Sequence, residues 1–165
     1  MLHLAPLSQY LDISEPRWQN RACGIVALKI ALDTLDYQTP DLKTMIQTGV
    51  EQNAYLPGIG WKHAELAKLS EHYGANGTNY DWAALSPEEA WVKLTTYLGQ
   101  TPVLVSIHSH FDPTTKDGHL IVLAGEQTGQ IIYADPEIKD RDQIITSIDR
   151  TKFLAGWKRR VIIIS

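Results

Sequence analysis

Cys23 is the only cysteine in the chain, and its surroundings favour a reactive thiol. It directly precedes a run, 24–35, whose apolar residues recur at the spacing of a largely buried helix. Unpaired backbone N–H groups and the helix dipole favour negative charge at such a position, and the thiolate is the nucleophilic form of cysteine. The alternative interpretation is a small buried core residue. As a nucleophile, Cys23 would need a base, a group that orients the base, and an oxyanion site.

His119 and Asp135 flank a predicted β-hairpin made of strands 120–124 and 130–134. A three-residue loop at 126–128 would set His119 directly opposite Asp135, on one side of the sheet, with Cβ atoms ~5 Å apart. An error of one residue in this loop would turn one of them away. A carboxylate beside an imidazole fixes its tautomer and stabilises the imidazolium. The alternative is an ordinary surface pair at a strand end.

The overall composition narrows the class of protein. A length of 165 residues predicts one domain, 1–165, and a net charge of -4 argues against a nucleic-acid partner. A single cysteine excludes an internal disulfide framework and a multi-cysteine metal site. The first residues lack the basic and apolar regions of a signal peptide, and no apolar stretch reaches the ~20 residues that span a bilayer. We therefore expect a cytoplasmic protein with no membrane partner.

The predicted elements change in type halfway along the chain. The first half favours helices, of which the clearest begins at Ser86-Pro87 with Glu89 in a capping-box position. The second half favours strands, so the fold class is α+β with an antiparallel sheet. Residues 1–22 are predicted to form an irregular arm and 56–60 a loop. The predicted helices are 24–35, 41–48, 62–73 and 86–98, and the predicted strands are 101–107, 120–124, 130–134, 144–148 and 160–164.

With these segments assembled in order, the chain resembles the C39-like branch of the papain-like cysteine peptidases over nearly its whole length. The resemblance rests on several short matches that occur in the expected order: Pro6, Gln9, Tyr10 and Trp18 in the arm, Arg21-Ala22-Cys23-Gly24, Gly60-Trp61 before a helix, the run 101–107, Gly118-His119-Leu120, and Tyr133-Ala134-Asp135-Pro136. The resemblance implies a papain-like fold, in which N-terminal helices, one carrying the cysteine, pack on a C-terminal antiparallel sheet carrying the histidine and aspartate.

The resemblance also implies catalytic roles. Cys23 would attack an amide carbonyl, His119 would hold the thiolate as an ion pair and protonate the leaving amine, and Asp135 would orient His119. A glutamine upstream would bind the oxyanion together with the Cys23 N–H. Many relatives carry this glutamine six residues before the cysteine, where this chain has Arg17. Gln9 is the preferred candidate because its whole arm matches, and Gln19 is the alternative.

The implied function is a thiol hydrolase that cleaves a peptide or isopeptide bond through an acyl-enzyme. A related acyl transferase and a catalytically silent peptide-binding module are the alternatives. Trp61, Gly24 and Gly118 are the predicted substrate-binding positions, and Gly118 would allow close approach of a substrate backbone. The expected partner is a peptide or protein substrate, no cofactor is expected, and the oligomeric state is left open.

Other polar clusters favour different chemistry less strongly. Strand alternation would put His108 and His110 on one face near Asp112, as in some zinc sites. The chain is short for a binuclear metallohydrolase and lacks a second histidine cluster, so no metal is predicted. Residues 158–160, Lys-Arg-Arg, are interpreted as a solvated strand start rather than an anion site. His63 and His72 are expected to face water.

Overall fold

The computed structural model describes all residues, 1–165. Its α-helices are α1 (Cys23–Thr34), α2 (Leu42–Glu51), α3 (His63–His72), α4 (Pro87–Thr95) and α5 (Arg150–Gly156), with short 3-10 turns at Ser109–Phe111 and Arg141–Gln143. Its strands are β1 (Tyr55–Leu56), β2 (Gly60–Trp61), β3 (Gly77–Asp81), β4 (Val103–His108), β5 (Gly118–Gln127), β6 (Gln130–Ala134), β7 (Ile145–Asp149) and β8 (Trp157–Ile164). The arm 1–22 contains no helix or strand, as predicted.

Six of the strands form one antiparallel sheet in the order β3-β8-β4-β5-β6-β7. Alternate residues of its central strands enter two separate apolar cores. Leu104 and Val122 pack with α1, α2 and α3 on one face, whereas Val105 and Ile121 pack with α4 and α5 on the other. The predicted α+β class is confirmed, and both faces of the sheet are covered by helices.

Helix boundaries follow the capping residues. Ser86 and Glu89 form the predicted capping box of α4, which ends at Thr95 rather than near residue 98. Asp41 caps α2 by accepting a hydrogen bond from the Thr44 N–H, so Pro40 lies just outside this helix. α1 is buried along most of its length because it lies between the sheet and the other N-terminal helices.

Two elements were absent from the predictions. β3 is a sheet-edge strand whose residues are mostly exposed and polar, so it lacks the apolar alternation of a half-buried strand. α5 has only seven residues, too few to show a helical period. Residues 55–61, with a predicted loop at 56–60, form the small β1–β2 hairpin. No helix is long and apolar enough to cross a membrane.

Candidate active site

Cys23 is the first residue of α1 and is partly exposed. The preceding residue, Ala22, has no side-chain group that could cap the helix, and no side chain accepts from the first helical N–H groups. These donors and the helix dipole therefore remain directed at the space beside the thiol. This environment favours a negative charge on the sulfur or on an atom bound next to it.

Trp61 fixes the tip of α1. Its Nε1 donates a hydrogen bond of 2.7 Å to the carbonyl oxygen of Arg21, two residues before the cysteine. The indole lies so close to Gly24 that a Cβ there would be 2.7 Å from its Cγ. A Cβ at Gly49 of α2 would also lie 2.7 Å from the ring. The two glycines therefore allow Trp61 to pack between α1 and α2.

The structure assigns Trp61 and Gly24 mainly to packing. Trp61 reaches the cleft with one edge, but it is only 8% exposed and its ring contacts Trp18 and Tyr55. Gly24, the neighbouring predicted substrate contact, is buried beneath the indole and does not line the cleft. Gly118 is exposed and does line it.

His119 and Asp135 are in direct contact. His119 Nε2 lies 2.6 Å from Asp135 Oδ1. His119 is 6% exposed, and Asp135 Oδ1 also accepts a hydrogen bond of 2.9 Å from the Glu137 N–H. Because Nε2 is engaged with the carboxylate, Nδ1 is the ring nitrogen left for another partner, and Cys23 lines the same cleft as His119.

The predicted register of this hairpin is wrong. The loop has two residues, Thr128 and Gly129, instead of three. A bulge at Ala124 then shifts the pairing by one residue, so that Val122 lies opposite Ala134. Continuing this register by one residue sets Asp135 opposite Ile121, and His119 meets it diagonally. The two-residue turn alone would have put His119 and Asp135 on opposite sides, and the bulge restores a common side.

The surroundings of His119 stabilise its charged form. Burial alone would lower the pKa of His119, but the hydrogen bond that its Nε2–H donates to Asp135 and the nearby Cys23 thiol outweigh it and raise the pKa to about 10. Burial also opposes ionisation of Asp135, yet its hydrogen bond and attraction to His119 keep the pKa of Asp135 below its usual value. At neutral pH the pair is therefore an imidazolium held by a carboxylate.

The two candidate oxyanion glutamines differ in their hydrogen bonds. Gln19 donates from Nε2 to the carbonyl oxygens of Ile13, at 2.8 Å, and Tyr10, at 3.4 Å, so both of its N–H groups are occupied. Gln9 is 2% exposed, and its Oε1 is buried without a hydrogen-bond partner. Buried amide oxygens in folded proteins usually accept a hydrogen bond, so the isolated Oε1 of Gln9 is unusual. Gln9 does not line the cleft surface.

A cleft of about 830 Å³ lies over Cys23 and His119. One wall comes from the arm and the β1–β2 hairpin, including Trp18, Tyr55 and the exposed Ile59. The other wall comes from the sheet. A cleft of this size can enclose several residues of an extended peptide.

The sheet wall contains basic residues whose positions differ from expectation. Lys158 and Arg160 both line the cleft. They flank Arg159, which has a φ of 57° and donates instead to the carbonyl oxygen of Ala83. The pairing of β8 with β4 shifts at this point, and sequence periodicity gives no signal for such a bulge.

His63 also lies in this wall, whereas His72 is exposed, so the expectation that both would face water was wrong for His63. Burial and the positive charge of Arg160 lower the pKa of His63.

His108 and His110 do not share one face of a strand, which was the arrangement that the metal alternative required. β4 ends at His108, and His110 lies in a 3-10 turn with a φ of 57°, so strand alternation does not align the two rings. His108 Nδ1 is 2.9 Å from the carbonyl oxygen of Thr115. No group of three or more histidine, cysteine or acidic side chains is close enough to hold a metal ion.

Several solved structures are similar in fold. A double glycine motif protease from an AMS/PCAT transporter, solved with its leader peptide, is 18% identical with a TM-score of 0.67 over 99% of this chain and 91% of that one. The peptidase domain of Streptococcus ComA, a bi-functional ABC transporter involved in a quorum sensing pathway, is 16% identical with a TM-score of 0.65 over 88% and 92%. A C39-like peptidase from Bacillus anthracis is 16% identical with a TM-score of 0.65 over 96% and 92%.

The structural similarities agree with the sequence comparison at the level of the family. A search of curated proteins gave no match. The model of the Peptidase_C39 like family matches residues 1–161, nearly the whole chain. The mixed helix and antiparallel sheet arrangement is that of C39 peptidase domains. The chain belongs to the Peptidase_C39 like family.

Proposed function

We propose that this protein is a cysteine peptidase that cleaves a peptide or isopeptide bond through Cys23, His119 and Asp135. The observation that carries the proposal is the contact of His119 with Asp135, at 2.6 Å, in the same cleft that Cys23 lines. A nucleophile, a base and a group that orients the base are the three parts of nucleophilic amide hydrolysis.

In the proposed acylation step, the Cys23 sulfur attacks the carbonyl carbon of the scissile amide. The carbon–nitrogen bond then breaks, and His119 donates its proton to the leaving amine. Asp135 holds the imidazolium in place, which is consistent with the raised pKa of His119. The product is a thioester on Cys23. Water attacks this thioester, His119 accepts a proton from the water, and the acid product leaves the sulfur.

The oxyanion is proposed to bind the Cys23 N–H and the side-chain amide of Gln9. The absence of a side-chain cap on α1 supports the first donor. Gln19 Nε2 already donates to two carbonyl oxygens, whereas Gln9 Nε2 donates to no group of the protein, which supports Gln9 as the second. Removing one such donor typically costs ~100–1,000-fold in kcat.

An extended peptide is the proposed substrate class. The cleft has a volume of about 830 Å³, and the similar protease from an AMS/PCAT transporter was solved with a leader peptide. Exposed Ile59 on the β1–β2 hairpin offers an apolar contact for a substrate side chain.

The proposal is tested by trapping an acyl intermediate. The protein is incubated with a peptide library, quenched in acid and analysed by intact and peptide mass spectrometry. We expect an adduct on Cys23 in the wild type, together with cleaved peptides. Neither should form with Cys23→Ala, while His119→Ala should sharply reduce both. Cleavage that persists in Cys23→Ala would contradict the proposal.

Alkylation of Cys23 separates an enzyme from a silent binding module. The enzyme should react with iodoacetamide at pH values at which ordinary thiols react slowly, and His119→Ala should remove this reactivity. Ordinary thiol reactivity in the wild type would favour the binding module. An acyl transferase is recognised by adding an amine acceptor: product joined to the acceptor would then replace hydrolysed product.

A further inference from the structure

The cleft has a charge opposite to that of the chain. The protein carries 15 lysines and arginines against 19 aspartates and glutamates. Five of those cations line the cleft, namely Arg17, Arg21, Lys116, Lys158 and Arg160, and no aspartate or glutamate does. A cleft lined by one sign of charge concentrates ligands of the other sign.

Lys158 lies against Gly118, the residue before His119. Its Nζ lies 3.1 Å from the position that a Cβ of Gly118 would occupy, immediately before His119. The ammonium donates only to the carbonyl oxygen of Lys116, at 3.4 Å, and forms no ion pair. The absent side chain of Gly118 therefore leaves room for a positive charge in the cleft that His119 also lines.

One further cation, Arg160, and two polar side chains, His63 and Ser106, line the cleft together with Lys158. Arg160 pairs with Asp81 at 3.0 Å, and both side chains remain about half exposed. His63 has no hydrogen-bond partner in the cleft, and Ser106 adds a hydroxyl next to Gly118. Burial and repulsion from Arg160 lower the pKa of Lys158, while Asp117 opposes that change. An anion placed among these groups would relieve the repulsion between them.

The nearby acidic residues do not cancel the cleft charge. Asp81 faces Arg160, Asp117 lies near Lys158, and Glu15 lies 3.8 Å from Arg17. Against the five cations these three acids leave a positive excess, whereas the whole chain is negative.

We propose that Lys158, together with Arg160 and His63, forms a subsite that binds a carboxylate of the substrate on the leaving-group side of the cleft. The assignment to that side rests on the proposed function, in which His119 gives its proton to the leaving amine. The segment that follows the scissile bond therefore lies beside His119, next to Gly118 and Lys158. The carboxylate can be an acidic side chain or a free C-terminus, which have the same chemistry.

The first test uses the single thiol as a probe of the cleft. Rates of alkylation by anionic iodoacetate and neutral iodoacetamide are measured on the full chain and on N-acetylcysteine amide. We expect the iodoacetate-to-iodoacetamide rate ratio to be about tenfold higher for Cys23 than for the free thiol. Lys158→Met should lower this ratio towards the free-thiol value, whereas Lys152→Met, an exposed lysine on α5, should leave it unchanged.

Salt provides a second measurement that needs no variant. Raising the ionic strength shortens the Debye length from ~10 Å at 0.1 M to ~3 Å at 1 M. The iodoacetate-to-iodoacetamide rate ratio of the wild type should therefore fall. A ratio equal to that of the free thiol, or one unaffected by both salt and Lys158→Met, would overturn the subsite. The alkylation rate ratio can be measured whether or not the protein cleaves peptides. Cleavage with a free-thiol ratio would refute only the subsite, and a high ratio without cleavage would refute only the peptidase.

The second test identifies the source of the carboxylate. The best peptide from the library is remade with Glu or Gln in the second position after the cut, each with a free or an amidated C-terminus. A gain in kcat/KM for Glu assigns an acidic side chain, and a gain for the free acid assigns the C-terminus. In either case the gain should be about tenfold and should disappear in Lys158→Met. Equal rates for all four peptides would contradict the proposal.

Discussion

At the scale of single residues, the contact between His119 and Asp135 decides which charge state the buried imidazole adopts. Burial favours a neutral ring, but the 2.6 Å hydrogen bond and the neighbouring thiol favour a charged one. The net effect raises the pKa of His119 to about 10. The carboxylate therefore has an electrostatic role as well as an orienting one.

Asp135→Asn should lower the pKa of His119, because the amide removes the negative charge and weakens the hydrogen bond. The change can be measured from the His119 imidazole resonances in a pH titration by NMR. Asp142→Asn, an exposed residue of the following turn, is the control and should leave the titration unchanged. An unaltered His119 titration in Asp135→Asn would show that the carboxylate does not set its charge.

The ionisation of His119 makes the stability of the fold depend on pH. The pKa of His119 is raised in the folded state from 6.5 to about 10, so its contribution is complete below pH 6.5 and is lost as the pH rises towards 10. The free energy of unfolding in urea should therefore fall more steeply over this range in the wild type than in His119→Gln. Parallel pH profiles for the two proteins would contradict this linkage.

At the scale of elements, the tip of α1 is held by an indole between two glycines. Trp61 bonds to the Arg21 carbonyl and leaves no room for a side chain at Gly24 or at Gly49. The indole therefore couples the orientation of the Cys23 helix to α2 and to the β1–β2 hairpin. Displacing this ring would move the sulfur relative to an imidazole that belongs to another element.

Gly24→Ala should destabilise the fold by ~1–3 kcal/mol through overpacking against Trp61, partly offset by the better helix propensity of alanine. It should also lower kcat, because it shifts the helix tip that carries Cys23. Gly49→Ala crowds the far side of the same ring and is the matched control. We expect a comparable stability loss from Gly49→Ala in urea unfolding, with a smaller loss of kcat. Equal losses of kcat in both variants would contradict a local effect at Cys23.

The elements that the sequence predicted are those with strong local signals. α1 has a helical apolar period and α4 has a capping box, and both form close to their predicted positions. β3 was missed because an exposed edge strand has no alternation. The contact between His119 and Asp135 was predicted from a wrong loop length, and a bulge without sequence signature restored it. The bulge in β8 likewise has no sequence signal, so the sequence did not predict that Lys158 and Arg160 would both line the cleft.

At the scale of the whole molecule, the N-terminal arm is fastened to the loop that follows Asp135. The Gln9 N–H donates to the Pro136 carbonyl oxygen at 2.8 Å. The Ser8 hydroxyl donates to the Ile138 carbonyl oxygen at 2.6 Å, and Arg141 binds both carboxylate oxygens of Asp12. Hydrogen bonds therefore hold the segment that carries Gln9 against the loop that follows Asp135, although the two are far apart in sequence.

Arg141→Gln should loosen this attachment and lower kcat by about tenfold with little change in KM, since small displacements of oriented groups are costly to the reaction. Thermal stability should hardly change, because exposed ion pairs contribute ~0–1 kcal/mol. Arg150→Gln removes an arginine of similar exposure, 51% against 47%, from another surface and is the control. A fall in kcat in both variants, or in neither, would contradict a specific role for Arg141.

The bulge at Ala124 has a consequence for how this hairpin can change length. Adding or deleting a single residue within the paired parts of β5 or β6 reverses which surface His119 or Asp135 occupies, whereas two residues, or one residue together with gain or loss of the bulge, preserve it. Tolerated length variants of these two strands should therefore come in steps of two residues unless the bulge is gained or lost at the same time. Chimeras that replace β5 with a strand from another protein will retain the pairing only if the new strand also carries a bulge between its turn and the histidine.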